Sequence, residues 1–278
     1  MKTRTTNLDA LITCVLLIVS LLFFANLAMG QKTDEKKWAY SVGLGMASAP
    51  SYIGDDEYQL LLLPNFSARY SDKFYFSLLE GIGYNVIRTG SWRIGAIIKN
   101  NIGRYEDGTV PFSISGNKTN DLNSLGDVEV TIEPGALVEF TKGWSVTKLE
   151  VRQGIGGHKG LIGEFSTQYR NSFKFNKKDI YYAVGPEVKF SDSRFNNAFF
   201  GISQEQSENA DLQTYQADFG ILSIGINGSF IIPINERLST MAFVSYSRLS
   251  DTATDSSLIR KHGSAHQGAL GFMLSYTL

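Results

Sequence analysis

The sequence predicts an all-β protein, an antiparallel transmembrane β-barrel of about twelve strands that follows a cleaved signal peptide. Three observations carry this. An apolar/polar alternation restarts in blocks of ten to fifteen residues and persists to the final residue. The first thirty residues have the make-up of a secretory signal. After them no apolar run is long enough for a membrane helix, so any span must be a closed barrel.

The signal comes first in the chain. Lys2 and Arg4 precede an apolar run from Ala10 to Phe24, and Ala28 and Gly30 are the small residues before a cut at Gln31. The domains are therefore read as 1–30, signal peptide, and 31–278, outer-membrane barrel. An uncleaved anchor fits less well, because the apolar span is short for a bilayer and Lys32–Lys37 is polar. Cys14 is the one cysteine and leaves with the signal, which removes disulfide and thiol chemistry. The charge is nearly balanced, with 26 basic and 27 acidic residues, so there is no basic field for nucleic acid.

Strands are read at 38–47, 58–70, 73–87, 92–104, 127–140, 144–155, 161–171, 179–190, 197–205, 217–231, 236–248 and 267–278. Successive strand side chains point to opposite faces. At 127–140 this puts Val128, Val130, Ile132, Pro134, Ala136, Val138 and Phe140 on one face. Asp127, Glu129, Thr131, Glu133, Gly135, Leu137 and Glu139 share the other. A soluble sandwich would bury the apolar face; a membrane barrel turns it to outer-membrane lipid and lines its interior with the charges. The last strand favours the barrel, with Leu270, Phe272, Leu274, Tyr276 and Leu278 outward up to the carboxyl terminus. Trp38, Trp92 and Trp144 each open a strand, where an aromatic girdle sits. Pro64, Pro134 and Pro186 fall inside strands, so bulges or local distortions are expected there. Glu80 lands on the lipid face unless the register shifts.

Longer polar stretches lie at 48–57, 105–126, 206–216 and 249–266, and none carries a helix signal. With a periplasmic amino terminus, alternation puts 48–57, 206–216 and 249–266 outside the cell and 105–126 on the periplasmic side. The inward face mixes both signs: Arg69, Lys99, Glu129, Glu133, Glu150, Arg152, Glu164, Arg170, Glu187 and Lys189. Charges inside a barrel must pair or stay hydrated, so this set predicts a lumen partly filled by ion pairs.

Chemistry is sparse. His158 stands alone in a glycine-rich turn, and His262 and His266 lie in a loop without a third ligand cluster; no metal site and no cofactor are predicted. Ser256 and Ser257 have a nearby histidine but no nucleophile elbow, so no catalytic residues are assigned. Gly43-Leu44-Gly45 and Gly81-Ile82-Gly83 precede no helix and are not phosphate loops.

The ordered segments resemble the MipA/OmpV family of outer-membrane proteins. They are Pro50–Tyr58, Pro64, Ala68-Arg69-Tyr70, Gly83-Tyr84-Asn85, Gly103-Arg104, Leu125–Val128, Gly185-Pro186, Tyr246–Leu249, Ser256–Ile259 and Ser275-Tyr276. The chain departs from the family in ending on Leu278 rather than Phe, and in His158-Lys159-Gly160, a turn that is commonly acidic there. The resemblance implies an outer-membrane barrel and, for some members, non-enzymatic scaffolding. The scaffolded partners are a murein lytic transglycosylase and a bifunctional penicillin-binding protein. It brings no catalytic residues. On the alternation above, Glu106, Asp107, Asp121 and Asp127 would form the periplasmic docking loop. The alternative is a narrow channel or a surface receptor or adhesin.

Overall fold

The computed structural model describes residues 38–278 except Asn117; the signal peptide expected at 1–30 lies outside the described residues. The strands are β1 (Trp38–Pro50), β2 (Tyr58–Tyr70), β3 (Phe74–Ser77), β4 (Gly81–Arg88), β5 (Trp92–Asn101), β6 (Ser113–Ser115) and β7 (Thr131–Lys142). They continue with β8 (Ser145–Gln153), β9 (Ile155–Gly156), β10 (Leu161–Phe175), β11 (Lys178–Ser191), β12 (Gly220–Pro233), β13 (Leu238–Leu249) and β14 (His266–Thr277). Four short helices interrupt the loops: α1 (Ser193–Phe200), α2 (Gln204–Ala210), α3 (Asp251–Thr254) and α4 (Ser257–His262). All strands but β6 and β9 form one antiparallel ring, which closes because β1 pairs with both β2 and β14. Full closure leaves no edge to hydrocarbon.

The outer face is apolar. On β14, Leu270, Phe272 and Leu274 are 63%, 54% and 46% exposed, while Met273 between them is 3% exposed. A greasy surface around a polar lumen inverts the soluble pattern and suits a barrel in lipid. Trp38, Trp92 and Trp144 all stand at the end of the barrel that carries the short turns. There they pack on Tyr70, Phe140 and Tyr169 at 4.9, 4.7 and 6.0 Å.

The ring has the expected twelve strands, but one expected strand is two and another is absent. The strand expected at 73–87 is two, β3 and β4, turning at Leu78-Leu79-Glu80. Glu80 is thereby removed from the lipid face and lines the lumen. The strand expected at 197–205 is instead helical. Asp192 caps α1 by accepting from Phe195 N at 2.9 Å, and a Ser203/Gln206 capping box opens α2.

The extra strand reverses the parity of segment 105–126. Loops 51–57, 102–130, 154–160, 192–219 and 250–265 all gather at one end, and the short β3–β4 turn at 78–80 points the same way but stops within the wall. Turns 71–73, 89–91, 143–144, 176–177 and 234–237 occupy the other, with β1 starting and β14 ending there. Outer-membrane barrels keep short turns periplasmic and long loops outside. By that rule segment 105–126, with Glu106, Asp107, Asp121 and Asp127, shares the end of the long loops and not the turn end where the alternation put it.

Part of that segment is wall. β3 is too short to span, and β2 loses it beyond the Ser67–Ser77 pair. In the notch, β6 pairs with Leu60 and Leu61, and Leu62 N donates to Phe112 O at 2.8 Å. Phe112 and Ile114 face outward and restore the apolar belt. The three strand prolines need no register shift. Pro64 faces this notch; Pro134 lies where β7 passes from β8 to β9; and Pro186 lies where the β10–β11 pairing skips between Glu187 and Val184. Each sits where one ladder is interrupted, so a missing N–H costs little.

Candidate functional site

Two features fill the barrel: a packed cap at the loop end and a charged lumen beneath it. The cap is built on a buried apolar cluster. Phe195, Phe199 and Phe200 of α1 meet Leu122, Leu125 and Val128 from loop 102–130 and Leu258 and Ile259 of α4. Phe195 and Phe200 are fully buried. Val128, expected on the lipid face, is 6% exposed and joins this core, because its backbone pairs with Arg104 before β7 begins.

Polar groups stitch the cap loops together. Gly54 N donates to Gln267 Oε1 at 3.0 Å, Gln267 Nε2 to Asp55 O at 3.1 Å, and Ser264 N to Gly54 O at 2.8 Å. Gly54 adopts φ +101°, and a Cβ there would lie 2.3 Å from Ile259 Cδ1, so only glycine fits. Tyr52 Oη donates to His262 O at 3.3 Å, and burial pushes its phenol pKa up. Arg104 donates from Nη1 to Phe199 O at 2.9 Å, and burial draws its pKa down to about 10. Asp55 is fully buried; Glu57 N donates to its Oδ1 at 3.0 Å, and Oδ2 has no partner. Burial first, then the Asp121 and Asp56 charges, raise its pKa to about 6.

Ser256 and Ser257 are structural hydroxyls here. They donate to Phe200 O and Gln213 O, each at 2.7 Å. His262 Nδ1 instead faces Asp121 Oδ1 at 3.3 Å. Among the described residues no three His, Cys, Asp or Glu side chains are grouped to hold a metal.

Below the cap, Glu133 accepts from His158 Nε2 at 2.9 Å and Arg152 Nε at 2.7 Å. Gly160 N donates to His158 Nδ1 at 3.1 Å, so the proton sits on Nε2. The His158 ring lies 4.9 Å edge-on to Phe195, which joins the charged layer to the cap. Arg152 also pairs with Glu150, which takes Lys99 at 2.6 Å and Lys148 at 3.4 Å. Lys148 reaches Glu164 at 3.2 Å. Level with Glu164, Lys189 pairs with Glu187 at 3.1 Å; nearer the turn end, Arg93 pairs with Glu139 at 2.9 Å.

The predicted lumen residues are thus divided. Lys99, Glu133, Glu150, Arg152, Glu164, Glu187 and Lys189 meet in ion pairs. Arg69 and Arg170 line the turn-end side of a cavity of about 490 Å³ that those pairs also border, and among the described residues no carboxylate lies in ion-pairing reach of either. Glu129 is exposed on the loop before β7 and takes no part in the network. Lys148, Arg93 and His158 were missed, and Glu139 was placed on the inward face without being named in the network. Arg93 and Glu139 carried the inward parity of their strands and were legible. His158 was not, since the turn that folds it under the cap is fixed by tertiary contacts. Glu106, Asp107, Asp121 and Asp127 line the loop end. Glu106 N donates to Asp127 Oδ1 at 2.8 Å, and Ser124 N to Glu106 Oε1 at 2.5 Å.

Comparison with known proteins now has a structure to rest on. The family model described as "MltA-interacting protein MipA" matches residues 42–278. The chain belongs to this family. It is an outer-membrane barrel. The Escherichia coli K12 protein named "Putative outer membrane protein YiaT" is 24% identical over 155 residues, covering 55% of this chain and 61% of that relative. The protein of that name in E. coli O157:H7 matches to the same extent. The match thus spans less than two thirds of either relative. Similar solved structures include a bacterial polysaccharide outer membrane secretin (7% identity, TM-score 0.41, 88% of this chain and 99% of that one). OmpT of Vibrio cholerae is another (8% identity, TM-score 0.32, 90% and 100%). The Pro50–Tyr58 segment, which carried part of the family resemblance, is the loop that locks the cap.

Proposed function

We propose that this family member is a non-enzymatic docking protein that holds murein-remodelling enzymes at the periplasmic face of the outer membrane. Its partners would be a lytic transglycosylase, which the family description supplies as an interaction partner, and a bifunctional penicillin-binding protein. One observation carries the reading: the end that carries the short turns, which outer-membrane barrels keep periplasmic, presents a charged polar rim. That end is basic. Lys73, Lys142, Lys174, Lys177, Lys178 and Arg237 ring it, against Asp72, Asp179 and Glu236. Such a rim favours an acidic partner surface by electrostatic steering. We therefore propose the turns, rather than Glu106, Asp107, Asp121 and Asp127, as the docking surface.

The test is capture of a purified lytic transglycosylase by the detergent-solubilised barrel. Combined Lys73→Glu, Lys142→Glu and Lys177→Glu should reduce capture severalfold, and raised salt should do the same. Lys118→Glu, on the loop end, should leave it unchanged. Full capture by the triple variant would reject the rim. The cap and ion-pair layer also oppose the channel reading, and planar-bilayer recordings should show no current through the intact barrel.

A further inference from the structure

The lumen between the ion-pair layer and the turn end holds charged groups that the protein leaves uncompensated. The cavity of about 490 Å³ is of the size that small ligands occupy. A second hollow of about 660 Å³ shares Glu80, Gln168 and Arg170 with it and extends to Trp144 and Ser172, so it opens at the turn end. Most of its charges are paired, as described. Three are not. Arg69 projects from β2, with Tyr75 and Glu80 on the same wall. Arg170 projects from β10 on the other side, and its guanidinium donates to Gln168 Oε1 at 3.1 and 3.3 Å. Glu80, on the β3–β4 turn, has no cation within ion-pairing reach among the described residues.

Two guanidinium groups and one carboxylate, on facing walls of a dead-end chamber, define a complementary ligand. Guanidinium groups take carboxylates by paired N–H donors, and a carboxylate takes an ammonium group. We infer that the vestibule is a binding site for a short acidic peptide entering from the periplasm, carrying two carboxylates and a free ammonium group. Arg69 and Arg170 hold the carboxylates, and Glu80 holds the ammonium. The stopper above makes it a receptor pocket rather than a stage in permeation. It stands apart from the docking reading, since the rim lysines and these three residues are different groups.

Calorimetric titration of the full mature barrel in detergent at low salt, with the dipeptide Ala-Glu, tests this. One saturable site is expected. Arg69→Gln and Arg170→Gln should each weaken it about tenfold, as loss of a charge-assisted pair does. Ala-Gln, short of one carboxylate, and N-acetyl-Ala-Glu, short of the ammonium, should each bind about tenfold more weakly to the unmutated barrel. Glu80→Gln should remove the difference between Ala-Glu and its N-acetyl form. Heat-dependent gel mobility shows that each variant is folded, and Arg69→Lys should retain part of the affinity. The absence of a saturable site for Ala-Glu up to about 10 mM would overturn the assignment. So would undiminished affinity in the Arg69→Gln/Arg170→Gln double variant, or equal binding of the N-acetyl peptide.

Discussion

Asp55 makes the cap sensitive to pH, and Asp55→Asn should abolish the effect. The side chain is fully buried, one oxygen has no partner, and its pKa rises from an ordinary 3.8 to about 6. A carboxyl with a raised folded-state pKa favours folding when neutral. Its contribution is complete below about pH 4 and is lost as pH rises through about 6. A shift of about two units corresponds to about 3 kcal/mol at about 1.4 kcal/mol per unit. The cost falls on the cap, because Asp55 and Gly54 are held there by Gln267 and Ser264. Hydrogen exchange of the Gly54 and Ser264 amides, corrected for intrinsic rates, should show opening rise by up to about a hundredfold from pH 4 to pH 8. Asparagine keeps the acceptor for Glu57 N and carries no charge, so its exchange should be flat and slow across that range. Equal protection of the unmutated cap at both pH values would refute the argument, as would a persistent slope in Asp55→Asn.

Arg152→Ala should destabilise the barrel by about 3–5 kcal/mol, because Glu133 and Glu150 would each lose a buried partner; urea unfolding in vesicles measures it. Asp192→Ala removes the cap of α1 and should cost about 1 kcal/mol, read as faster exchange in residues 193–200 with the strands unaffected. A membrane-impermeant maleimide should label Lys118→Cys on intact cells, and Lys142→Cys only after the outer membrane is permeabilised. The reverse pattern would invert the barrel.

The wall was largely legible because its rule is local. Alternation placed β7, β11 and β14 and the charges of Glu133, Glu150 and Glu187, since a pleated strand in lipid must separate the two kinds of residue. Two kinds of information were not local. The turn at Leu78–Glu80 has no proline or Asn-Gly signal, and Gly81 looked like a strand glycine although it adopts φ +88° to make the turn. Phe199 and Phe200, inside the strand expected at 197–205, read equally well as part of a buried strand. Helical spacing decides only once Asp192 is recognised as a cap. Segment 105–126 was assigned to the wrong end for the first reason alone: one hidden reversal upstream moved every later loop prediction up to 197–205, where the second error restored it. Arg69 and Arg170 fell on the predicted inward face, but which inward charges lack a partner depends on cross-strand distances that no linear pattern holds.

The notch beside β2 sets an order of assembly. Hydrocarbon offers no hydrogen bonds, so the bare flank above β3 cannot rest in the bilayer unshielded. The piece that shields it comes from a loop on the far side, which must cross before it can fold back as a patch. That flank is therefore finished after its neighbours. A chain trimmed of residues 108–122 would lose a panel of its hull rather than a tether for visitors, and would be expected to leak, pair edge to edge, or be degraded.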